Sequence, residues 1–310
     1  MMSRLRSVLV AAIAALAAAF ATAPVAHGEV PFEFEPGAQA LSQAGPGANL
    51  AGAHPDVTLT FRVRQDPVSG LPGQAPNSAA VELPAGMVGD LRALDVCAVD
   101  DVIAAEKPAG AGRCPRRAAA GLAQFDVVYP NGGGPPLSDR RLWRVPAGPG
   151  EVAAFASSVV ANPVRIAIKV TPSGGYRVRA TADRLPQSAA VRMFSATLWG
   201  VPADHQGLPA TNCDGVVFAG TKYCIDGKGP TDPTGNPAIR FGGPLADADR
   251  VPFLSNPSVC GASLDGFIRL APYGTEFGPI ESALSGGTVS GCELQPFSGA
   301  VDVTPASRQA

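Results

Sequence analysis

Two histidines beyond residue 28, His54 and His205, are the side chains of this sequence best suited to general acid–base chemistry. A serine hydrolase would need one of them beside a serine and an acid. His54 precedes Pro55 and His205 precedes Gln206-Gly207, so both positions favour turns. The chain also lacks the Gly-x-Ser-x-Gly motif of a nucleophile elbow. We therefore predict that neither histidine is catalytic, and we assign no catalytic residue.

Paired carboxylates are a second chemistry that the composition allows, because glycoside hydrolysis needs only two Asp or Glu side chains about 5 to 9 Å apart across a cleft. The candidates are Asp100, Asp101, Asp204, Asp214, Asp247 and Asp249. Aromatic rings that could stack on a sugar are scarce, at 6% of the chain. Trp143, between Arg141 and Arg144, is the candidate ligand platform, whereas Trp199 ends an apolar strand and is expected in the core.

Cofactor and metal motifs are missing from the sequence. There is no Gly-x-x-x-x-Gly-Lys-Ser/Thr loop for phosphates and no dinucleotide-binding glycine motif after a strand. A zinc site would need a Cys-x-x-Cys pair, which is absent. Residues 226–236 space Asp and Asn with glycines as calcium loops do, but they lack the alternating acids and the terminal Glu of an EF-hand. We predict no metal and no cofactor.

The six cysteines form an even set, which predicts disulfides if the chain is exported. Sequence alone allows 15 pairings of six cysteines. Their spacing groups them as neighbours, and we predict the bonds Cys97–Cys114, Cys213–Cys224 and Cys260–Cys292.

Residues 1–28 have the pattern of a secretory signal peptide: Arg4 and Arg6, an uncharged apolar run from Val8 to Ala23, and then small residues. The alternative is a retained membrane anchor, but the apolar run falls short of the ~20 residues of a spanning helix. Removal of the segment changes the formal net charge from −2 to −4, because it holds two Arg and no acid. That charge disfavours nucleic acid as a partner. We predict a secreted, extracellular or cell-surface protein with no membrane span in the mature chain.

Strand patterns dominate the rest of the chain. Val57, Leu59, Phe61 and Val63 alternate with polar residues, and 164–180 reads as a hairpin with one basic face. One short helix is expected near 97–105, where acids occupy the first turn. Many short strands with Gly/Pro turns predict a mainly β fold, an antiparallel β-sandwich or jelly-roll-like structure with long disulfide-stapled loops and little helix.

The domain boundaries follow composition. We expect a signal peptide at 1–28, a flexible N-terminal arm at 29–52 and a β-sandwich domain at 53–202. Residues 203–250 are rich in Gly, Pro, Asp and Asn and are expected to be a long loop region. Residues 251–310 are expected to be a C-terminal β extension that packs on the same domain.

Five sequence blocks then occur in order: AGAHPD (51–56), LPAGMVG (83–89) followed by Cys97 and Cys114-Pro115, TLWGVPADH (197–205), PFLSNPSVC (252–260) and GCELQPF (291–297). Together they resemble an uncharacterised family of large secreted or surface bacterial proteins of the actinobacterial type. The resemblance covers about 51 to 305 and implies a modular envelope or extracellular protein. It implies no activity, and it leaves open whether this chain is a short member or a piece of a longer one.

From these observations the leading hypothesis is a secreted, non-catalytic β-rich module of the cell envelope or extracellular surface, with a structural or partner-recognition role. Its partner would be an unknown surface protein or polysaccharide. The alternative is a secreted polysaccharide-acting hydrolase that uses paired carboxylates. A third option is a building unit of a surface layer. A cleft with two facing acids would favour the enzyme.

Overall fold

The computed structural model describes residues 30–45, 47–105, 113–129, 137–159, 162–186, 190–206, 217–218, 221–222 and 250–294. The described residues from Pro31 onward belong to one compact unit. Its strands are β1 (Ala40–Ala44), β2 (Asp56–Arg62), β3 (Pro76–Glu82), β4 (Val88–Gly89), β5 (Ala119–Val128), β6 (Leu137–Val145), β7 (Ala153–Val159), β8 (Asn162–Thr171), β9 (Arg177–Ala182), β10 (Ala190–Leu198), β11 (Val217–Phe218), β12 (Thr221–Lys222), β13 (Leu254–Ser255), β14 (Gly266–Pro272) and β15 (Ile280–Leu284).

The helices of the described residues are short. They are α1 (Val99–Ala105), α2 (Ser173–Tyr176) and α3 (Pro202–Gln206), with 3₁₀ turns at Leu91–Ala93, Arg116–Ala118 and Cys292–Leu294. Helix α1 confirms the helix predicted near 97–105, and Asp100 and Asp101 lie in its first turn. Among the described residues, none of the helices has the length and apolar character of a membrane span.

One antiparallel sheet contains eleven of the strands, in the order β1-β2-β10-β5-β6-β7-β8-β9-β3-β14-β15. This confirms the mainly β, antiparallel class. The sheet curls until it is nearly a barrel, so that the facing layers expected of a sandwich are opposite walls of a single sheet. Strands β4 and β13 pair separately. Strand β14 pairs with β3 and with β15, so the described strands of the predicted C-terminal extension other than β13 belong to the same sheet.

Strand β2 shows how the alternating sequence builds this sheet. Val57, Leu59 and Phe61 are buried on the inner face. Thr58 and Thr60 point the other way and their hydroxyls bond Thr197 and Ser195 of β10 at 2.8 and 2.9 Å. An apolar inner face and a polar outer face follow from the two-residue period of a strand.

The hairpin predicted at 164–180 is present. Strands β8 and β9 pair along their lengths, from Ile166 opposite Ala182 to Thr171 opposite Arg177, and α2 makes the turn. Lys169 lies opposite Arg179. The basic face is thus the outer face of the hairpin, while its apolar side chains point toward the interior of the curled sheet.

The described residues of the segment 29–52, which was expected to be a flexible arm, are part of the fold. Strand β1 pairs with β2 from Ala40 opposite Thr60 to Ala44 opposite Asp56. Phe32 and Leu41 are buried in the main core cluster. The mixed Gly, Ala and Gln residues of this segment show no strand periodicity in the sequence. Strand β1 can still pair with β2, because the pairing is made by backbone N–H and C=O groups and does not need a particular side-chain pattern.

Two of the three predicted disulfides lie within the described residues, and both are confirmed: Cys97–Cys114 and Cys260–Cys292. The third predicted pair, Cys213–Cys224, lies outside the described residues. The first bond fastens α1 to the segment before β5, and both of its sulfurs are buried in a second core cluster. This cluster also contains Trp143 and Trp199 and covers the outer face of β7.

Candidate apolar cavity inside the sheet

The interior of the curled sheet contains a cavity of about 380 Å³. Nine strands of the large sheet line it, from β1 to β3 and from β5 to β10. Cavities of roughly 300 to 1,000 Å³ with mostly apolar walls are the usual size and chemistry of small-molecule sites. The volume is also far larger than the voids that close packing leaves in an ordinary core.

Strand alternation supplies the lining. In β8 the residues Val164, Ile166, Ile168 and Val170 all face the cavity. Strand β7 faces it with Ala153, Phe155 and Ser157, whereas Ala154 and Ala156 of the same strand pack in the second cluster on the outer side. Strand β7 is therefore buried on both faces, which explains why its sequence shows no apolar–polar alternation.

Exposed valines mark an opening at one end of the cavity. Val88, Val152 and Val170 line the cavity and are also 56, 52 and 46% exposed. They come from three separate segments: β4, the turn before β7, and the end of β8. We call these three residues the rim. Apolar side chains that are both exposed and continuous with an internal cavity offer an apolar molecule a path from solvent to the interior.

An ion pair holds one side of the rim. Arg165 of β8 donates to both carboxylate oxygens of Glu151, and the Gly148 N–H donates to Oε2 at 2.7 Å. The Arg165 side-chain hydrogen bonds and the Gly148 N–H lower the pKa of Glu151 from 4.5 to about 2. Arg165 also donates to the Pro146 carbonyl at 3.2 Å. The turn that carries Val152 is thereby fixed to β8.

The opposite end of the cavity is packed with apolar residues. A buried cluster there includes Phe125, Val127, Leu142, Val164, Ala182, Leu185 and Val191. Tyr273 donates a hydrogen bond from its hydroxyl to the Leu185 carbonyl and fixes the chain after β9. Aromatic rings continue across the wall, since Phe194 contacts Phe61 and Phe125 with ring centroids 5.6 and 5.1 Å apart.

Ser157 carries the one polar side chain among the cavity-lining residues that the structure describes. It is 1% exposed, and its Oγ has no hydrogen-bond partner. Buried hydroxyls in native proteins almost always have a partner, so an unpartnered one calls for an explanation.

The structure brings His54 next to a serine, a contact that the sequence did not reveal. Nδ1 of His54 lies 2.9 Å from Ser255 Oγ and 3.1 Å from the Leu254 carbonyl oxygen. The carbonyl oxygen can only accept, whereas the Ser255 hydroxyl can donate or accept, so the tautomer of the His54 ring decides which of the two contacts are hydrogen bonds. The contact fixes the chain before β2 to β13.

His205 makes a different set of contacts at the end of β10. Its Nε2 lies 3.0 Å from Asp56 Oδ2, and its ring stacks on Trp199 with centroids 4.9 Å apart. Asp56 also accepts the Gly200 N–H at 2.9 Å. These contacts join α3 to the start of β2. Trp199 is 4% exposed and lies in the second core cluster, as predicted.

Trp143, the candidate ligand platform, is 1% exposed and packs in the second cluster with Cys97, Val102 and Trp199. Its ring presents no face to solvent. The arginines beside it suggested exposure, but Arg141 is itself 3% exposed. The outer side of strand β6 is covered by residues of the second cluster. The sequence of the strand does not reveal this cover.

The three candidate carboxylates that the structure describes, Asp100, Asp101 and Asp204, do not line the cavity. Asp101 lies 3.3 Å from Arg113 and Asp204 makes two bonds to Arg250, all at the surface, while Asp100 is exposed on α1. The others, Asp214, Asp247 and Asp249, lie outside the described residues, as does the segment 226–236 considered for calcium. In the described part of the chain, no group of three or more His, Cys, Asp or Glu side chains is placed to hold a metal ion.

Three of the five sequence blocks, 51–56, 197–205 and 252–260, meet at one corner of the fold. A Cβ on Gly200 would lie 1.9 Å from the His54 carbonyl oxygen, so only glycine fits this approach. The Phe253 N–H donates to the Gly200 carbonyl at 2.7 Å, and the Asn256 N–H donates to Ala53 at 2.8 Å. These three blocks therefore have a structural role: they hold β2, β10 and β13 together.

Comparison with known proteins finds no matching family model, no similar curated protein and no similar solved structure.

Proposed function

We propose that this protein is a secreted, non-catalytic β-rich module of the cell envelope or extracellular surface, and that it holds a small apolar molecule inside its sheet. The observation that carries the proposal is the cavity of about 380 Å³ with apolar walls and an exposed valine rim. Packing of this interior by side chains alone would have been more stable, because an empty apolar cavity forfeits contacts. A bound apolar ligand restores them.

Two features support the extracellular placement. The N-terminal 28 residues have the charge and apolar pattern of a signal peptide. The two disulfides of the described residues are of the kind that persists in oxidising compartments. An extracellular carrier of an apolar molecule must shield it from water, and the enclosed sheet interior supplies that shielding.

The hydrolase alternative gains no support from the cavity. Glycoside hydrolysis needs two carboxylates facing one substrate, and none of the described lining residues is charged. The same lining argues against polysaccharide as the ligand of this cavity, because sugar hydroxyls would lose water without gaining partners.

A fluorescent apolar probe tests the proposal. N-phenyl-1-naphthylamine, which brightens in apolar surroundings, is titrated into the full chain and then displaced with biphenyl. We expect saturable binding of one probe per chain and complete displacement. No saturable signal, or a stoichiometry well above one, would contradict the proposal.

Paired arginine variants localise the probe. Val170→Arg places a charge at the rim, which must be kept hydrated and therefore obstructs the opening. Val68→Arg places the same charge at a position that is 81% exposed and outside the cavity. We expect Val170→Arg to weaken probe binding by about tenfold, which corresponds to roughly 1.4 kcal/mol, and Val68→Arg to leave it unchanged. Equal effects of the two variants would place the probe elsewhere.

A further inference from the structure

We infer that the ligand of the cavity is a neutral molecule with an apolar body and one uncharged hydrogen-bonding oxygen group, such as a hydroxyl, which pairs with Ser157 Oγ. This inference rests on the proposed function and specifies the ligand class. It is carried by the unpartnered, 1% exposed hydroxyl of Ser157 in an otherwise apolar lining.

The hydroxyl needs a partner that the protein does not supply. A buried donor or acceptor without a partner is destabilising, and native structures rarely keep one. A single water is a poor substitute, since buried waters are held by two to four polar groups and the described lining offers one polar side chain. A ligand oxygen, brought in by the apolar body to which it is attached, satisfies Ser157 without needing further polar partners.

The position of Ser157 sets the orientation of the ligand. Ser157 lies five residues along the chain from the rim residue Val152, which at about 3.4 Å per residue of strand is roughly 17 Å. It is opposite Val164 of β8, on the side of the packed end of the cavity. The oxygen group is therefore the inner end of the bound molecule, and the apolar body extends from it toward the rim.

The lining also excludes a charged ligand group at this depth. No lysine, arginine or histidine is among the described lining residues, so a carboxylate or phosphate would be buried without a counter-charge. Arg165, which holds the turn beside the rim residue Val152, is already paired with Glu151. Neutral alcohols fit these constraints, and ionised fatty acids do not.

A matched ligand pair tests the inference. Biphenyl and 4-hydroxybiphenyl differ by one hydroxyl, and the phenol is neutral at pH 7 because phenols ionise near pH 10. Each displaces N-phenyl-1-naphthylamine from the wild type, Ser157→Ala, Ser157→Thr and Ser158→Ala. The quantity compared is the selectivity ratio, the Kd of biphenyl divided by the Kd of 4-hydroxybiphenyl. Ser158 is the control because it neighbours Ser157 on β7, is equally buried and faces the other side of the strand.

We expect Ser157→Ala to lower the selectivity ratio by about tenfold, as loss of a buried hydrogen bond would. Ser157→Thr keeps the hydroxyl and should keep the ratio within about threefold of the wild type, while Ser158→Ala should leave it unchanged. Ser157→Ala should fold normally, since it removes an unpartnered polar group. If both ligands bind but the ratio is the same in wild type and Ser157→Ala, this inference is overturned while the proposed function stands. If neither ligand nor probe binds, both are overturned.

Discussion

Replacing Ala180 with leucine fills part of the cavity and should make the empty protein more stable while weakening its binding. Ala180 of β9 lines the cavity between Ile168 of β8 and Val81 of β3. Leucine adds three carbon atoms, and if each occupies about the 30 Å³ that a water takes in the liquid, they fill about a quarter of the space.

The expected gain follows from apolar burial. Three added carbons contribute about 2.4 kcal/mol at about 0.8 kcal/mol each. The side-chain entropy that leucine loses on burial reduces this stabilisation by about 0.5 to 1 kcal/mol. The net stabilisation should be about 1.5 kcal/mol, which is about 4 °C in Tm for a domain of this size. Probe affinity should fall by about tenfold because the ligand volume is reduced.

Denaturant unfolding and probe titration measure the two effects on the same samples. Ala40→Leu is the control, because Ala40 of β1 is exposed and the same side chain there gains little burial. If Ala180→Leu instead lost about 1 to 3 kcal/mol, as overpacked cores do, the interior would be filled already and the reasoning from the cavity would be refuted.

Three further changes test the framework around the cavity. Gly200→Ala should lower the free energy of unfolding by about 3 kcal/mol or more, because the added Cβ would lie 1.9 Å from a backbone carbonyl oxygen. Gly278→Ala is the control: a Cβ there meets no atom within 4 Å, and denaturant unfolding should show no change. Glu151→Gln should lower stability by about 1 kcal/mol at pH 7. Because the folded pKa of about 2 lies below the ordinary 4.5, the difference from wild type should vanish between pH 4.5 and 2 in pH-dependent melting. Replacing Cys260 and Cys292 with serine should cost about 3 to 4 kcal/mol for a separation of 32 residues, while peptide mapping of the wild type recovers that crosslink.

Local patterns in the sequence predicted individual strands and neighbouring disulfides. Val57, Leu59 and Phe61 alternate with polar residues, and their inward orientation followed from that period alone. Cys97 and Cys114 are close in sequence, so their bond required no knowledge of the tertiary fold.

The cavity could not be predicted because it depends on distant pairings. Strand β2 lies beside β10, and β3 lies between β9 and β14, which no local signal specifies. Ser157 also gave no signal, since one serine among small residues is typical of any strand or turn. Its importance appears only when closure of the sheet removes it from water and leaves its hydroxyl unpartnered.

Trp143 illustrates the opposite case, in which a local pattern was misleading. Its flanking arginines favoured an exposed ring, but α1 and the Cys97–Cys114 bond cover that side of β6. Burial on both faces of a strand occurs where another layer packs outside the sheet, and the sequence of the strand itself does not record that layer.

A crystal structure of the full chain with 4-bromobiphenyl would test the central claim most directly. Anomalous scattering locates the bromine atom without reference to the fold. We expect one strong peak inside the sheet, bounded by Phe155 of β7, Ile166 of β8 and Phe194 of β10, with the ligand body filling the space between them. Bromine peaks only on the outer surface, with the interior closed by its own side chains, would contradict the account.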